Sequence, residues 1–158
     1  MAGPPVFAIA PDDLTAGDVL ALLTHHLAEM HACSPACKVH AMPAERLRSP
    51  DVTFFAARVA GELAAVGALR DLGNGTGEVK SMRAAEAWRG RGAGRAILLH
   101  LLAEARARGY REVGLETGQH PVFGPAHGLY EQHGFRKTDR FADYVSDDFT
   151  QCMVLPLG

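Results

Sequence analysis

The sequence predicts an α/β (α+β) protein, in which one mixed, mostly antiparallel sheet of six or seven strands carries about four helices. Three observations lead to this fold class: short apolar segments of strand character, segments of helical periodicity between them, and glycine turns that join consecutive strands. The chain has 158 residues, of which 47% are hydrophobic and 22% are charged. It contains no repeat or linker, so we expect a single domain over 1–158.

The first half of the chain predicts a strand, two helices and three further strands. "VFAIA" (6–10) is the opening strand, and Asp12 or Asp13 is expected to cap a helix over about 14–31. Pro43 can begin a short second helix, "PAERLR". Three segments separated by turns then predict an antiparallel run: "VTFFAARV" (52–59), "ELAAVGALR" (62–70) and "EVKSMRA" (78–84).

The second half alternates helices with strands. After "WRGRGAGRA" (88–96), an apolar stripe predicts a helix that ends near Gly109. The stripe consists of Ile97, Leu98, Leu101, Leu102 and Ala105. "EVGLET" (112–117) predicts a strand, and "PAHGLYEQH" predicts a helix that begins at Pro125 and ends before Gly134. "FRKTDRF" (135–141) and "QCMVLPL" (151–157) are the closing strands.

Composition and charge exclude several classes of function. A net charge of −2 gives no global reason to expect binding to nucleic acid or to a membrane. The longest apolar runs, such as "AILLHLLA", are too short to span a bilayer. The segment "MAGPPVFAIA" lacks the basic region of a signal peptide, so we expect a cytoplasmic protein.

Two cysteines and two histidines cluster in "HACSPACKVH". Cys33 and Cys37 lie between His31 and His40, and zinc could take two sulfurs and two imidazoles. However, the C-x3-C spacing is not that of a tight zinc knuckle, and Pro35 stiffens the turn. We therefore expect buried or half-buried loop cysteines and no metal, with a zinc site as the alternative.

The segment "WRGRGAGRA" concentrates glycine and arginine where an apolar helix begins. Backbone N–H groups at a helix N-terminus form an anion site together with the positive end of the helix dipole. Gly90, Gly92 and Gly94 allow a phosphate to come close. Four arginines add positive charge: Arg83, Arg89, Arg91 and Arg95. We expect a pyrophosphate site, with a solvated basic helix start as the alternative, and the Walker spacing is absent.

"RGRGAG" (89–94) and "LYEQHGF" (129–135) resemble two motifs of the GCN5-related N-acetyltransferases (GNAT), the R/Q-x-x-G-x-G/A acetyl-CoA signature and LYxxxGF. The resemblance covers nearly the whole chain, strand order included. "KSMR" (80–83), "LETG" (115–118) and "FADY" (141–144) are similar to the YsnE-like group of that family. The resemblance implies a GNAT fold in which the fourth and fifth strands splay apart to admit a thioester.

For the cofactor, the resemblance implies acetyl-CoA as cosubstrate. Met82 and Ala84, at the end of the fourth strand, would hydrogen-bond the pantetheine arm as an added strand does. The family often has an asparagine seven residues before its tyrosine, where this chain has Phe123, and this difference puts one cofactor hydrogen bond in question. The CoA pyrophosphate would be held by the loop, with Arg89 and the backbone amides of Arg91, Gly92, Ala93, Gly94 and Arg95.

For the chemistry, Tyr130 occupies the position of the family's thiolate-protonating tyrosine, and packing on the sheet is its alternative role. Glu78 on the fourth strand is the first candidate for the base that accepts the amine proton, with a water-facing carboxylate as the alternative. Glu116 on the adjacent strand is the second candidate. His120 and His127 are near enough in sequence to be considered, but a lone histidine is more often structural.

On the acceptor side, Lys80 and Arg83 could pair with a carboxylate of the substrate. Alternation along a strand puts them on opposite faces unless a bulge redirects one of them, and solvent-facing cations are the alternative. Four histidines of the first helix and its loop could contribute to an acceptor pocket: His25, His26, His31 and His40.

The sequence therefore predicts an acetyl-CoA-dependent N-acetyltransferase that acetylates a small amine, one that could carry a carboxylate, by direct attack in a ternary complex. Protein lysine or N-terminal acetylation is one alternative, and a non-catalytic acyl-CoA sensor is another. A homodimer is expected from the antiparallel edge strands and from the habit of the family.

Overall fold

A seven-stranded sheet organises the part of the chain that the computed structural model describes, residues 5–33 and 43–158. Its helices are α1 (Gly17–Cys33), α2 (Ala44–Leu47), α3 (Ala93–Ala107) and α4 (Gly124–Gln132). Its strands are β1 (Ala8–Pro11), β2 (Val52–Val59), β3 (Glu62–Gly73), β4 (Thr76–Ala84), β5 (Glu112–Gly118), β6 (Arg136–Thr138), β7 (Arg140–Phe141), β8 (Tyr144–Val145) and β9 (Thr150–Pro156). Short 3-10 turns, Glu86–Trp88 and Pro121–Phe123, precede α3 and α4.

The strands lie in the order β1-β2-β3-β4-β5-β9-β6, and β7 and β8 form a separate hairpin. Neighbours in the large sheet are antiparallel except β4 and β5, which run parallel. A tight turn joins β3 to β4, and its residues Asn74 and Gly75 both have positive φ, as a two-residue hairpin turn requires. The predicted fold class, a mixed and mostly antiparallel sheet with helices, is confirmed.

Two apolar clusters hold helices against the sheet. On one face, α3 buries the predicted stripe, and Ile97, Leu98 and Leu101 are 0% exposed. On the other face, Val19 and Leu23 of α1 pack against Val66 of β3. Each fully buried aliphatic side chain stabilises the fold by about 1.5–3 kcal/mol relative to exposure. The two helices therefore fix the strands on which the site is built.

The first helix begins later than predicted, and neither predicted capping residue caps it. Leu14 has φ +63°, so the helix cannot begin there. Instead, Asp12 Oδ1 accepts a hydrogen bond from the Leu14 amide and Asp13 Oδ1 accepts one from the Thr15 amide. These are aspartate turns that compete with a helix cap for the same short side chains.

The single closing strand predicted over 135–141 is also wrong. β6 ends at Thr138, and the chain then turns into the β7–β8 hairpin. The cause is a packing contact: the Phe141 ring, 5% exposed, lies directly over Gly114 of β5. Burying this aromatic ring favours the turn over a continued strand.

Two further expectations depend on what the structure describes. None of the helices in residues 5–33 and 43–158 is long and apolar enough to cross a bilayer. Of the four residues considered for zinc, Cys37 and His40 lie outside the described residues. The expectation of loop cysteines without a metal therefore stays a prediction.

Candidate active site

The sheet opens between β4 and β5. Their pairing extends only from Thr76↔Glu112 to Glu78↔Gly114, yet β4 continues to Ala84 and β5 to Gly118. The Ala85 amide donates to the Ala64 carbonyl of β3. Because backbone groups of successive residues point to opposite edges of a strand, those of Ala84 and Met82 point into the opening. The structure thus leaves a strand edge ready for an extended polar ligand.

The glycine-arginine loop lies at one end of this opening. Gly90 and Gly92 have φ values of +72° and +87°, which a residue with a Cβ adopts only at a cost. Gly92 is the N-cap of α3, and its carbonyl accepts a hydrogen bond from the Ala96 amide. The amides of Ala93, Gly94 and Arg95 belong to the first turn, whose N–H groups have no partner within a helix. Amides in this position, at the positive end of the helix dipole, suit an anionic ligand, and we call this first turn the anion cradle.

Arg91 differs from the rest of the loop. Its amide donates to the Trp88 carbonyl at 3.3 Å, and its guanidinium lies 4.0 Å from the centroid of the Trp88 ring. This cation–π contact holds the side chain over a buried aromatic ring. Arg91 therefore supplies its charge from the outer side of the loop, whereas Arg89 and Arg95 line the cleft.

A cleft of about 630 Å³ joins the loop to the opening between β4 and β5. This size is typical of a small-molecule site. The cleft brings together every predicted site residue except Arg91. These residues are Glu78, Lys80, Met82, Arg83, Ala84, Arg89, Gly92, Ala93, Gly94, Arg95, Glu116 and Tyr130.

Tyr130 reaches into the opening from α4. It is 7% exposed, and its hydroxyl lies 4.0 Å from Met82 Sδ. Burial, and secondarily the nearby Glu116, raises the pKa of Tyr130 to about 12. The hydroxyl therefore keeps its proton at neutral pH and can donate it as a hydrogen bond to a ligand atom in the opening.

A β-bulge in β4 puts both predicted acceptor cations on one face. Val66 and Ala68 of β3 pair with Arg83 and Lys80, so a single β3 residue faces two on β4, and Ser81 has φ +55°. Val66 and Ala68 both pack toward α1. Their partners Arg83 and Lys80 therefore share that face, instead of pointing to opposite faces as regular alternation would require.

Lys80 and Glu78 form a buried ion pair. Lys80 Nζ lies 2.9 Å from Glu78 Oε2, and the two residues are 7% and 1% exposed. Arg70 Nη1 lies 3.8 Å from the other carboxylate oxygen, Glu78 Oε1. The alternative prediction for Glu78, a carboxylate that faces water, is therefore wrong. Glu78 is shielded from solvent and lies between two cations.

Glu116 stands across the opening on β5 and is only partly buried. Its pKa is raised to about 7, chiefly by burial, with Lys80 lowering it and the negative charges of Glu78 and Asp147 raising it. A carboxylate with a proton affinity near neutral pH, at the wall of a cleft, suits proton transfer. Glu116 is thus a cleft carboxylate that is both open to a ligand and close to neutral in its pKa.

Arg83 is held by α1. Its two terminal nitrogens, Nη1 and Nη2, donate to the two Glu29 carboxylate oxygens at 2.8 Å each, and Arg89 Nη2 lies 3.9 Å from Glu29 Oε2. The hydrogen bond from Arg83 is the largest cause that lowers the pKa of Glu29. His26 also lines the cleft, and burial together with Arg83 lowers its pKa to about 4. Glu29 thus links the acceptor face to the cofactor loop.

Other candidates have structural roles. His120 Nδ1 accepts the Val122 amide at 3.1 Å and caps the 3-10 turn, and His127 Nε2 lies 2.8 Å from the Gly118 carbonyl. Phe123 lies directly over Gly118 and lines the cleft with an apolar ring. The hydrogen bond that the family's asparagine makes has no side-chain donor at this position.

Sequence reasoning missed Tyr144, Glu29 and Trp88. Tyr144 contacts Lys80 from 64 residues away, and Glu29 contacts Arg83 from 54 residues away. The segment "FADY" (141–144), which ends in Tyr144, was the available signal for the first residue, and no local pattern marks Glu29. Trp88 directly precedes the loop, and its position beside Arg91 was the available signal.

Comparison with known proteins identifies the family to which this fold and site belong. The sequence pattern of the acetyltransferase (GNAT) family matches residues 20–135. YsnE of Bacillus subtilis, an uncharacterized N-acetyltransferase, is 43% identical over 136 residues, which cover 86% of this chain and 90% of YsnE. A structure from Klebsiella pneumoniae, described as an acyl-CoA N-acyltransferase, has a TM-score of 0.77 at 27% identity and covers 97% of this chain and 99% of that one.

A Bacillus subtilis acetyltransferase solved in complex with CoA shares the fold, with a TM-score of 0.71 at 18% identity over 96% of this chain and 99% of that one. Together, the family pattern and the 43% identity to YsnE over most of both chains establish the family. The chain is an acyltransferase that uses an acyl-CoA donor. It belongs to the acetyltransferase (GNAT) family, and within it to the YsnE-like group.

Proposed function

We propose that this protein is an acetyl-CoA-dependent N-acetyltransferase that acts on a small amine by direct attack in a ternary complex. One observation carries the proposal: a single cleft joins the anion cradle of α3 to an opening that holds both a buried tyrosine and an accessible carboxylate. A bound acyl-CoA would supply the thioester. All the residues proposed to contact that donor would come from this one chain.

The residues of the loop fit a CoA donor. The first-turn amides of α3 would face the pyrophosphate, with Arg89 and Arg95 adding charge and Arg91 acting from the outer side of the loop. The backbone of Met82 and Ala84 would pair with the pantetheine arm as an added strand. The related Bacillus subtilis acetyltransferase that was solved with CoA supports the choice of donor.

Glu116 is the proposed general base, ahead of Glu78. An acceptor amine must lose a proton before or during attack, and the base must touch it or reach it through one water. Glu78 is 1% exposed and engaged by Lys80 and Arg70, whereas Glu116 is partly exposed at the cleft wall. Glu78 then serves as the anchor of Lys80.

Tyr130 is the proposed proton donor to the departing sulfur. Its raised pKa keeps the hydroxyl protonated, and its place beside Met82 puts it at the strand edge where the pantetheine arm would run. The buried surroundings strengthen each hydrogen bond made there. Charge that develops on sulfur would thus meet a donor already in position.

The acceptor is proposed to be small, and a carboxylate on it would reach the face that carries Lys80 and Arg83. Both cations already hold a protein carboxylate, Glu78 and Glu29 respectively. A substrate carboxylate would therefore share these cations instead of neutralising free ones. Matched acceptor pairs, an amino acid and the amine left after its decarboxylation, test this point directly.

The experiment is an assay of CoA thiol release with acetyl-CoA and a panel of such pairs, run on three proteins. Tyr130→Phe should lower kcat at least ten-fold, about 1.4 kcal/mol, with an unchanged Kd for acetyl-CoA. Tyr110→Phe is the matched control, because its hydroxyl contacts Arg108 outside the cleft. Unchanged turnover in Tyr130→Phe would contradict the proposed donor.

Two other outcomes separate the alternatives. Tight acetyl-CoA binding without turnover on any small amine, but with acetylation of a peptide, would favour protein acetylation. Binding without any transfer would favour an acyl-CoA sensor. A homodimer and a cytoplasmic location remain predictions, to be checked by light scattering and by cell fractionation.

A further inference from the structure

Tyr144 lies over the charged wall of the cleft without belonging to the large sheet. Its hydroxyl accepts a hydrogen bond from Lys80 Nζ at 3.1 Å, and its ring centroid lies 5.4 Å from the same nitrogen. A hydrogen bond to Glu78 is among the causes that raise the pKa of Tyr144, after burial and the charge of Glu78. Tyr144 thus touches both members of the Glu78–Lys80 ion pair.

The hairpin that carries Tyr144 is anchored at both ends. Phe141 of β7 packs over Gly114 of β5, where no side chain could fit beneath the ring. Ser146, just after β8, donates from its Oγ to the Thr138 carbonyl at 2.7 Å and from its amide to the Asp139 carbonyl at 2.7 Å. The hydroxyl of Tyr144 is therefore presented from a fixed position.

Lys80 is the side chain that benefits from being held. It has a long, flexible stem, it is buried, and it is the cation that acts on Glu116. The energy between two charges rises steeply as they approach in a region of low dielectric constant. A small displacement of the Lys80 ammonium would therefore change how readily Glu116 gives up its proton.

The groups that act on Glu116 come from several elements. Lys80 and Glu78 act from β4, and Asp147 acts from the segment after β8. Tyr130 on α4, Tyr144 on β8 and Cys152 on β9 are also coupled to it electrostatically. Among these groups Lys80 alone carries a positive charge.

We infer that Tyr144 is a positioning residue for acyl transfer, whose hydroxyl joins Lys80 and Glu78 into one network and keeps the Lys80 ammonium in the cleft wall that Glu116 also lines. This role rests on the proposed function of Glu116 as the base. No substrate contact is assigned to Tyr144. Its contribution acts through Lys80.

Loss of the Tyr144 hydroxyl should shift the pKa of Glu116 in one direction. Without it, Glu78 loses a hydrogen-bond donor and Lys80 loses an acceptor, so the ammonium settles more closely on Glu78. Glu116 then feels less of the positive charge, and its pKa rises. Because the base works in its ionised form, the rising limb of the pH–rate profile moves to higher pH.

The test compares two single-hydroxyl deletions, Tyr144→Phe and the control Tyr110→Phe. Tyr144→Phe keeps the ring and the cation–π contact. In Tyr144→Phe, the midpoint of the kcat/KM profile should move upward by about half a pH unit, about three-fold less ionised Glu116 below the midpoint. KM for acetyl-CoA should not change, and Tyr110→Phe should follow the wild type.

A second readout does not depend on turnover. The carboxyl carbon of Glu116, in protein labelled with 13C-glutamate and assigned with Glu116→Gln, can be titrated by NMR. Its midpoint should rise in Tyr144→Phe and rise further in Lys80→Met, which also covers the case in which Tyr144→Phe folds poorly.

The outcomes separate the two claims. An unchanged Glu116 midpoint in folded Tyr144→Phe overturns the inference, whatever the enzyme acetylates. Where Tyr144→Phe does not fold, an unchanged midpoint in Lys80→Met overturns it. If the Glu116 titration midpoints shift but the protein acetylates no amine, the proposed function is wrong and the positioning of Lys80 by Tyr144 still holds. Shifted midpoints together with a shifted pH–rate profile support both.

Discussion

The two ends of the cleft are built in opposite ways. At the proposed cofactor end, the cradle comes from one continuous segment, Arg89 to Arg95, which is largely exposed to solvent. At the proposed acceptor end, the charged wall comes from separate elements, with Glu78 and Lys80 on β4, Glu116 on β5 and Tyr144 on β8. The first end offers backbone amides, and the second offers buried and partly buried side chains.

This difference determines how each end responds to change. An exposed anion cradle carries most of its affinity in charge and backbone geometry, so its changes affect binding. A buried network sets proton affinities through short distances in a low dielectric, so its changes affect turnover and pH dependence. Variants at the two ends should therefore separate kcat from Kd.

The largest effect is expected at the acceptor end. Glu116→Gln keeps the size of the side chain but cannot accept a proton, so kcat/KM should fall about 100-fold or more, while Kd for acetyl-CoA stays the same. Glu112→Gln, on the same strand but outside the cleft, is the control. If Glu116→Gln retains activity within about three-fold, Glu78 becomes the base.

The Glu116 carboxyl group should also make the free energy of unfolding depend on pH. Its pKa is about 7 in the fold, against 4.5 for the free group, so the native state binds the proton more tightly. The contribution of this carboxyl group to the free energy of unfolding is therefore largest below about pH 4.5 and is lost as pH rises through 7. It amounts to about 3 kcal/mol.

Urea unfolding of the wild type and of Glu116→Gln across this pH range measures the contribution. The difference between the two proteins should depend on pH with that sign. If the free energies of unfolding of the two proteins changed with pH in the same way, the surrounding charges and burial would not perturb Glu116. The proposed electrostatic difference between the two ends of the cleft would then be wrong.

A smaller effect is expected from the backbone of the cofactor end. Gly92→Ala forces a Cβ into a positive-φ conformation, at about 1 kcal/mol of stability, and should weaken acetyl-CoA binding about five-fold. Gly17→Ala is the matched control, since Gly17 begins α1 with open space around it. It should be neutral or slightly stabilising. Unimpaired binding in Gly92→Ala would show that the loop geometry is not used.

Sequence reasoning succeeded where structure is local. The β2–β3–β4 run, the α3 stripe and the glycine turn that begins α3 all follow from short patterns, because turn chemistry and helix periodicity act over a few residues. It failed where a distant contact decided the outcome. Phe141 turns the chain because Gly114 leaves room for its ring. The bulge at Ser81, which the sequence offered only as an alternative, puts Arg83 and Lys80 on one face.

The ranking of the two carboxylates shows the same limit. Sequence position made Glu78 the first candidate, because it lies on the fourth strand at a familiar place. Only the fold reveals that Lys80 and Arg70 enclose it and that Glu116 remains accessible. Burial and ion pairing are properties of the assembled sheet, and no local pattern encodes them.

The central claim is that the glycine-arginine loop holds the pyrophosphate of acetyl-CoA, and a calorimetric titration tests it most directly. Acetyl-CoA should bind the wild type with micromolar Kd, and the Arg89→Ala, Arg91→Ala double variant should bind at least ten-fold more weakly, about 1.4 kcal/mol. The double variant Arg106→Ala, Arg136→Ala removes the same charge from exposed positions outside the cleft and should bind like the wild type. Equal affinity in all three proteins, or no binding by the wild type, would contradict the account.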